Sequence, residues 1–347
     1  MNNLFHGKGV WHSGVGRFFA GAALLTLSLT GCRHDKPVQF YGQAQGTYYS
    51  VQYLDPGQRN LQPQVDSLLQ AFDQSASLWV DSSLLRRLNA GLTDSLDDVL
   101  LFLLDHSLRI SEYTGGAFDP RVGRIVQTWG FSFKQRQQPD SAMLAGLLRA
   151  ARGTVGFSGH RYLRQFNDTE LDFNAIAQGY ASDLVGQMLE HYGITSYLVD
   201  IGGEVVAHGT KADGQPWRVG IERPAADSLS TPEVQAAIEL RDASVVTSGS
   251  YRKYYERDGV RYSHTIDPTT GRPVQHSLLS VSVVEHESWL ADAMATAYMV
   301  MGLDSARAFI ADHPDGPGTQ AVYFIYDDQG ELKTYATPGF EKLTIKK

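Results

Sequence analysis

The chain of 347 residues contains a single cysteine, Cys32. Without a second one there is no internal disulfide, so the fold must be held by its core. There is no Ser/Gly- or Pro-rich linker, no low-complexity tract and no internal repeat, which favours one continuous domain. Positive charge is not in excess: the formal net charge is −8, which argues against nucleic acid as a partner. Beyond the first thirty-odd residues there is no long apolar run, so nothing there is expected to span a bilayer. Charged residues at 20% and aromatics at 11% mark a globular rather than a disordered chain. About 315 residues follow Cys32, enough for a substantial core.

At the N-terminus, Lys8 and Arg17 precede an apolar run from Phe18 to Leu29. The run is too short for a permanent span and has the basic-then-apolar layout of an export signal. It ends in Leu29-Thr30-Gly31-Cys32, which resembles the bacterial lipobox, whose cysteine is acylated after cleavage. Residues 1–31 are therefore expected to be a lipoprotein signal peptide and 32–40 a lipidated cysteine (palmitate) with its tether. Residues 41–347 are expected to form the working domain. The expected location is the bacterial cell envelope, lipid-anchored and facing the periplasm, with the inner membrane favoured over the outer.

Helical spacing joins Val65, Leu68, Leu69 and Phe72, and again Leu96, Val99, Leu100, Leu103 and Leu104, a helix that starts after Ser95 and stops by Gly115. Ala177, Ala181, Leu184, Val185 and Met188 form another apolar face, and Trp289 to Met301 reads as a buried helix closed by Gly302. Tyr197–Val199, Val205-Val206, Trp217–Ile221 and Val281–Val283 read as strands. Val322–Tyr326 and Leu332–Tyr335 read as a terminal hairpin. Helices and strands mix without regular alternation, which predicts an α+β fold.

Four stretches carry polar residues where packing alone does not ask for them. In Leu171 to Tyr180 a strand bearing Asp172 runs into a small-residue helix whose N-terminus suits a phosphate. Ala175, Ala177 and Gly179 would let a ligand or another helix approach closely; Asp172 or Asn174 could equally be a plain cap. Val199 to Glu204 holds a Gly202-Gly203 pair, either a tight turn or a backbone approach to a pyrophosphate. No third glycine follows, so it is not a dinucleotide fingerprint. Val246 to Tyr251 and Tyr262 to Pro273 cluster hydroxyls around His264, either a structural histidine or a base near neutral pH. Asp292 and Thr296 stand at i and i+4 in an apolar helix; they are hard oxygen ligands suited to Mg²⁺, unless Asp292 pairs with a basic side chain.

The order of these stretches resembles one family, the FAD:protein FMN transferases (ApbE-like). Gln45–Tyr49, Asp81–Asn89, Gly115–Pro120, Asn174–Tyr180, the Ile201-Gly202-Gly203 turn, Thr247–Gly249, His264–Pro268 and Ala291–Ala293 match in sequence order. The resemblance implies a single α+β domain with mixed sheets and packed helices. It implies that Gln45, Ser77, Leu78, Trp79, Ala117, Phe118, Asp119, Asp172, Gln178 and Thr265 line a site for FAD as substrate. The Ala175 carbonyl with Asp292 and Thr296 would hold Mg²⁺, and His264 would deprotonate the acceptor hydroxyl. FMN would then pass from FAD to a Thr or Ser of another protein, with release of AMP. Implied acceptors are redox proteins of the same compartment, such as a subunit of a membrane NADH:quinone reductase. Many members carry a lysine where Gln178 stands; glutamine cannot neutralise charge, so weaker or differently oriented nucleotide binding is expected. The alternatives are a Mg²⁺-dependent FAD pyrophosphatase and a non-catalytic FAD-binding lipoprotein, against which Asp292, Thr296 and His264 count.

Overall fold

Alternation of apolar side chains along eight segments builds the centre of the protein. The computed structural model describes residues 36–131, 139–224, 233–250, 254–257 and 260–346, leaving aside the side chains of 254–263. Cys32, the signal segment and Tyr251 lie outside the described residues. The eight strands are β1 (Val38–Ala44), β2 (Thr47–Tyr53), β3 (Tyr197–Ile201), β4 (Glu204–His208), β5 (Ala243–Gly249), β6 (Leu278–Glu285), β7 (Ala321–Asp328) and β8 (Glu331–Ala336). They lie side by side in chain order in one sheet, and every pairing is antiparallel. Where mixed sheets were expected, the described pairs are antiparallel throughout, within the α+β class.

Both faces of the sheet are covered, because side chains of successive strand residues point to opposite sides. Val206, Val246, Val281, Val283, Val322 and Phe324 face a helical layer. That layer includes α1 (Gln62–Ala76), α2 (Asp98–Tyr113), α3 (Ala177–His191) and α4 (Ser288–Met301). Val205, Val245, Val284, Tyr323 and Ile325 face the other way. There they meet a hairpin of Trp217–Glu222 and Val234–Leu240 and the helix Pro338–Leu343. A third, smaller cluster packs Ile125, Trp129, Leu147, Ala151 and Ile266. Among the described residues no helix is long and apolar enough to cross a membrane.

The expected helices are present, with boundaries set by caps. α2 begins at Asp98 rather than directly after Ser95, because the Asp97 carboxylate accepts the Leu100 N–H at 2.8 Å. α4 ends at Gly302, whose φ of 75° suits glycine. The terminal hairpin turns through Gln329 and Gly330, both at positive φ, as a two-residue loop between right-twisted strands requires.

One expected strand is absent. Residues 171–173 belong to no strand. The side-chain amide of Asn89 takes the partner's place: it donates to the Leu171 carbonyl and accepts its N–H, both at 2.8 Å.

Candidate active site

Two helices meet where the small residues and the buried carboxylate were read. A Cβ on Gly179 would lie 2.4 Å from the Ser288 carbonyl oxygen and 2.9 Å from the Asp292 Cβ, so only glycine lets α3 and α4 approach this closely. Neither Asp172 nor Asn174 caps α3; its N-cap residue is Ile176, which makes no side-chain cap bond. Asp292 does that work from α4, its Oδ2 accepting the Gly179 N–H at 3.1 Å. Asp183 of α3 acts in return on α4, accepting the Ser288 and Trp289 N–H groups at 2.9 Å each. Each helix start is thus held by a carboxylate of the other. Sequence reading missed Asp183; the signal was a carboxylate between Ala181, Val185 and Leu189, all buried.

Asp292 is 5% exposed, and no basic side chain neutralises it among the described residues. Burial raises its carboxyl well above the usual carboxylate range; the Gly179 N–H opposes this and the charge of Asp183 adds to it. Asp183 is pushed up to about 7, chiefly by burial, against the pull of its two N–H donors. One turn beyond Asp292, the Thr296 hydroxyl stands 3.3 Å from the Ser248 hydroxyl of β5. Thr247 beside it shares a 2.7 Å hydrogen bond with Ser282 of β6. A single buried carboxylate, its Oδ1 without a hydrogen-bond partner among the described residues, and a hydroxyl at i+4 fit a hard divalent cation. No three His, Cys, Asp or Glu converge among the described residues, so the set is not that of a zinc or iron centre.

Around the start of α3 lie several of the expected ligand residues. Asp172 is 7% exposed; its Oδ1 accepts the Asn174 N–H at 2.9 Å, while its buried Oδ2 has no partner. Burial pushes its carboxyl up to about 6. Gln45 forms the β1–β2 turn at φ 53°, and its buried Nε2 also has no partner. A buried acceptor and a buried donor without partners are what a polar ligand such as FAD would satisfy.

Gln178 donates to the Ile201 carbonyl at 3.0 Å, and a Cβ on Gly202 would lie 2.2 Å from its Nε2. The amide is therefore seated on the Gly202-Gly203 turn. That pair is a tight turn and not a pyrophosphate cradle: Gly202 donates to the Tyr48 carbonyl at 3.0 Å and Gly203 to Asp200 at 2.9 Å. The carboxylate of Asp119 is taken up by Arg121, accepting from its backbone N–H and, bidentately, from its guanidinium. Ala117 is partly buried and Phe118 is in the core, the Phe118 N–H donating to Thr114. Ser77 accepts the Trp79 N–H at 3.0 Å, Leu78 is in the core, and the Trp79 side chain is 58% exposed.

His264 is half-buried, its ring edge-on to Phe131 with centroids 6.4 Å apart. Thr265 is buried, its carbonyl accepting the Val274 N–H at 3.0 Å. Two surface hollows of about 440 Å³ each lie elsewhere; one is floored by Tyr162 and Arg164, the other by Leu68 and Met188. No predicted site residue lines either, and the buried unpartnered atoms mark the site better than cavity size does.

The chain as a whole is similar to known proteins. The sequence profile of the ApbE family matches residues 45–321. A FAD:protein FMN transferase of Vibrio cholerae is 35% identical over 335 residues, 92% of this chain and 97% of its own length. That of Escherichia coli K12 is 33% identical over 317 residues, 88% of each chain. Among solved structures, the flavin transferase ApbE of Vibrio cholerae superposes with a TM-score of 0.77 at 32% identity, covering 89% of this chain and 99% of its own. The apo flavinyl transferase ApbE of Pseudomonas stutzeri gives 0.78 at 32% identity, covering 89% and 97%. The chain belongs to the ApbE family, the FAD:protein FMN transferases.

Proposed function

We propose that this enzyme moves FMN from FAD to a threonine or serine hydroxyl of an extracytoplasmic redox protein, with Mg²⁺, releasing AMP. The observation that carries the metal is the buried Asp292 carboxylate with Oδ1 uncommitted, one turn from the Thr296 hydroxyl. Mg²⁺ held by Asp292, Thr296 and the Ala175 carbonyl would neutralise charge developing on the pyrophosphate. The unpartnered Gln45 Nε2 and Asp172 Oδ2 supply a donor and an acceptor for FAD. Phe118 and Leu78, which the family resemblance sets beside FAD, are both buried in the core. His264 takes the hydroxyl proton as oxygen bonds to the FMN-side phosphorus and the bond to the AMP phosphate breaks.

The test mixes protein lacking residues 1–32 with FAD, Mg²⁺ and an acceptor domain bearing the target hydroxyl. Intact mass of the acceptor is expected to rise by one FMN, with the gain abolished by EDTA. His264→Ala is expected to slow the gain by about 10²- to 10⁴-fold with FAD still bound. Free FMN and AMP without an acceptor mass change would identify a pyrophosphatase instead. FAD bound and unchanged would leave only a carrier.

The lipobox-like Leu29–Cys32 supports a lipid-anchored envelope protein facing the periplasm, where acceptors such as a subunit of a membrane NADH:quinone reductase would meet it. Membrane fractionation of cells making the full chain or Cys32→Ser checks this. The parent should sediment with membranes and the variant should not; identical partitioning would refute the anchor.

A further inference from the structure

The two helix starts brace each other, and the brace has a consequence for the metal. Asp292 reaches Gly179 N on α3, while both oxygens of Asp183 on α3 hold the first two N–H groups of α4. Asp292 lies one turn beyond those N–H groups on the same helix. Displacing the start of α4 therefore displaces Asp292 and Thr296 together, relative to the Ala175-to-Gly179 segment. No side chain of α4 itself caps this start: the N-cap residue Glu287 makes no cap hydrogen bond. The missing Cβ of Gly179 lets the two helices touch here, the Ser288 carbonyl oxygen lying 2.4 Å from where that Cβ would be.

We infer that Asp183 is a positioning residue for the divalent-cation site, setting the place of Asp292 and Thr296 through the two α4 N–H groups it holds. It acts through α4, whose first two N–H groups it accepts. Residues that orient metal ligands in this way typically govern affinity by about tenfold to a hundredfold. The inference rests on the reading of Asp292 as a metal ligand.

The experiment measures Mn²⁺ affinity of the whole chain downstream of residue 32 by titration calorimetry, and FAD affinity separately in EDTA. Asp183→Asn keeps one acceptor for the α4 N–H pair and removes the charge. It is expected to weaken Mn²⁺ about tenfold or more while FAD affinity in EDTA stays unchanged. Asp140→Ala is the structural control: Asp140 caps the helix Ser141–Ala151 through the Met143 N–H. It should lower the melting temperature and leave Mn²⁺ affinity unaltered. Asp183→Glu, which restores charge but not geometry, should recover only part of the loss.

If Asp292→Ala abolishes Mn²⁺ binding while Asp183→Asn leaves it intact, the positioning role is wrong and the metal reading stands. If Asp292→Ala does not alter Mn²⁺ binding, or the parent binds none, both fall. Should Asp183→Asn weaken Mn²⁺ no more than Asp140→Ala does, the residue is a plain helix cap.

Discussion

Asp172 shows how one side chain can be read twice. In the sequence it is a carboxylate just before a helix, and a cap was the ordinary explanation. In the structure it caps nothing; it binds Asn174 N with one oxygen and buries the other. Burial raises its carboxyl to about 6, so folding favours the protonated form. The stability this proton contributes is complete below about pH 4 and is lost as pH rises through about 6. For the ligand-free protein the loss approaches about 3 kcal/mol. Asp172→Asn, which mimics the neutral acid, should therefore gain several degrees in melting temperature over the parent at pH 7.5 and little at pH 4.5. An equal difference at both pH values would show that Asp172 is not held neutral. Gln178 was legible as a departure from lysine, but not its contact: its amide is committed to the Ile201 carbonyl, a pairing between residues 23 apart that no local pattern reveals.

At the scale of elements, the close approach of α3 and α4 turns on Gly179. Glycine inside a helix normally costs about 1 kcal/mol against alanine. Here the order reverses, because an added methyl meets backbone, the Ser288 carbonyl, and not a movable side chain. Gly179→Ala should lower stability by about 1–3 kcal/mol despite its better helix propensity, measured by urea denaturation. A more stable variant would mean the helices can part without cost. The helices were legible because Val65, Leu69 and Phe72, or Leu100, Leu103 and Leu104, bury one stripe each. The strands of the sheet centre were legible because Val205/Val206 and Val245/Val246 send neighbours to opposite faces. The strand expected at 171–173 failed because its apolar Leu171 and Phe173 are buried without a ladder; Asn89, 82 residues earlier, replaces one. The strand Val234–Leu240 was missed although Val234, Ala236, Ile238 and Leu240 alternate with Gln235 and Glu239 as a half-buried strand does. At the site, the pairing of Asp292 with Thr296 was written in helical spacing, whereas Asp183 gained meaning only through the helix opposite.

For the molecule as a whole, the sheet divides labour between its faces. The helical face carries Asp292, Thr296 and Asp172; the other is closed by the 217–240 hairpin and the C-terminal helix. Phe340 is fully buried on that second side, stacked on Tyr323 with centroids 4.9 Å apart. Phe340→Ala should cost about 3–5 kcal/mol of stability, yet leave kcat for FMN transfer at 25 °C within twofold of the parent. A comparable loss of kcat in still-folded protein would show that the second face feeds the site. The strand order has one more effect, on how the chain is made. β1 and β2 emerge early, but the partner that closes the inner edge of β2 begins at Tyr197, paired with Tyr53. At ribosomal speed that wait is on the order of ten seconds, during which a hairpin carrying Tyr49, Val51 and Tyr53 has an open edge and a bare apolar face. Prompt burial by α1, whose Asp66 accepts the Tyr49 hydroxyl, would keep two copies from joining edge to edge before the sheet is complete.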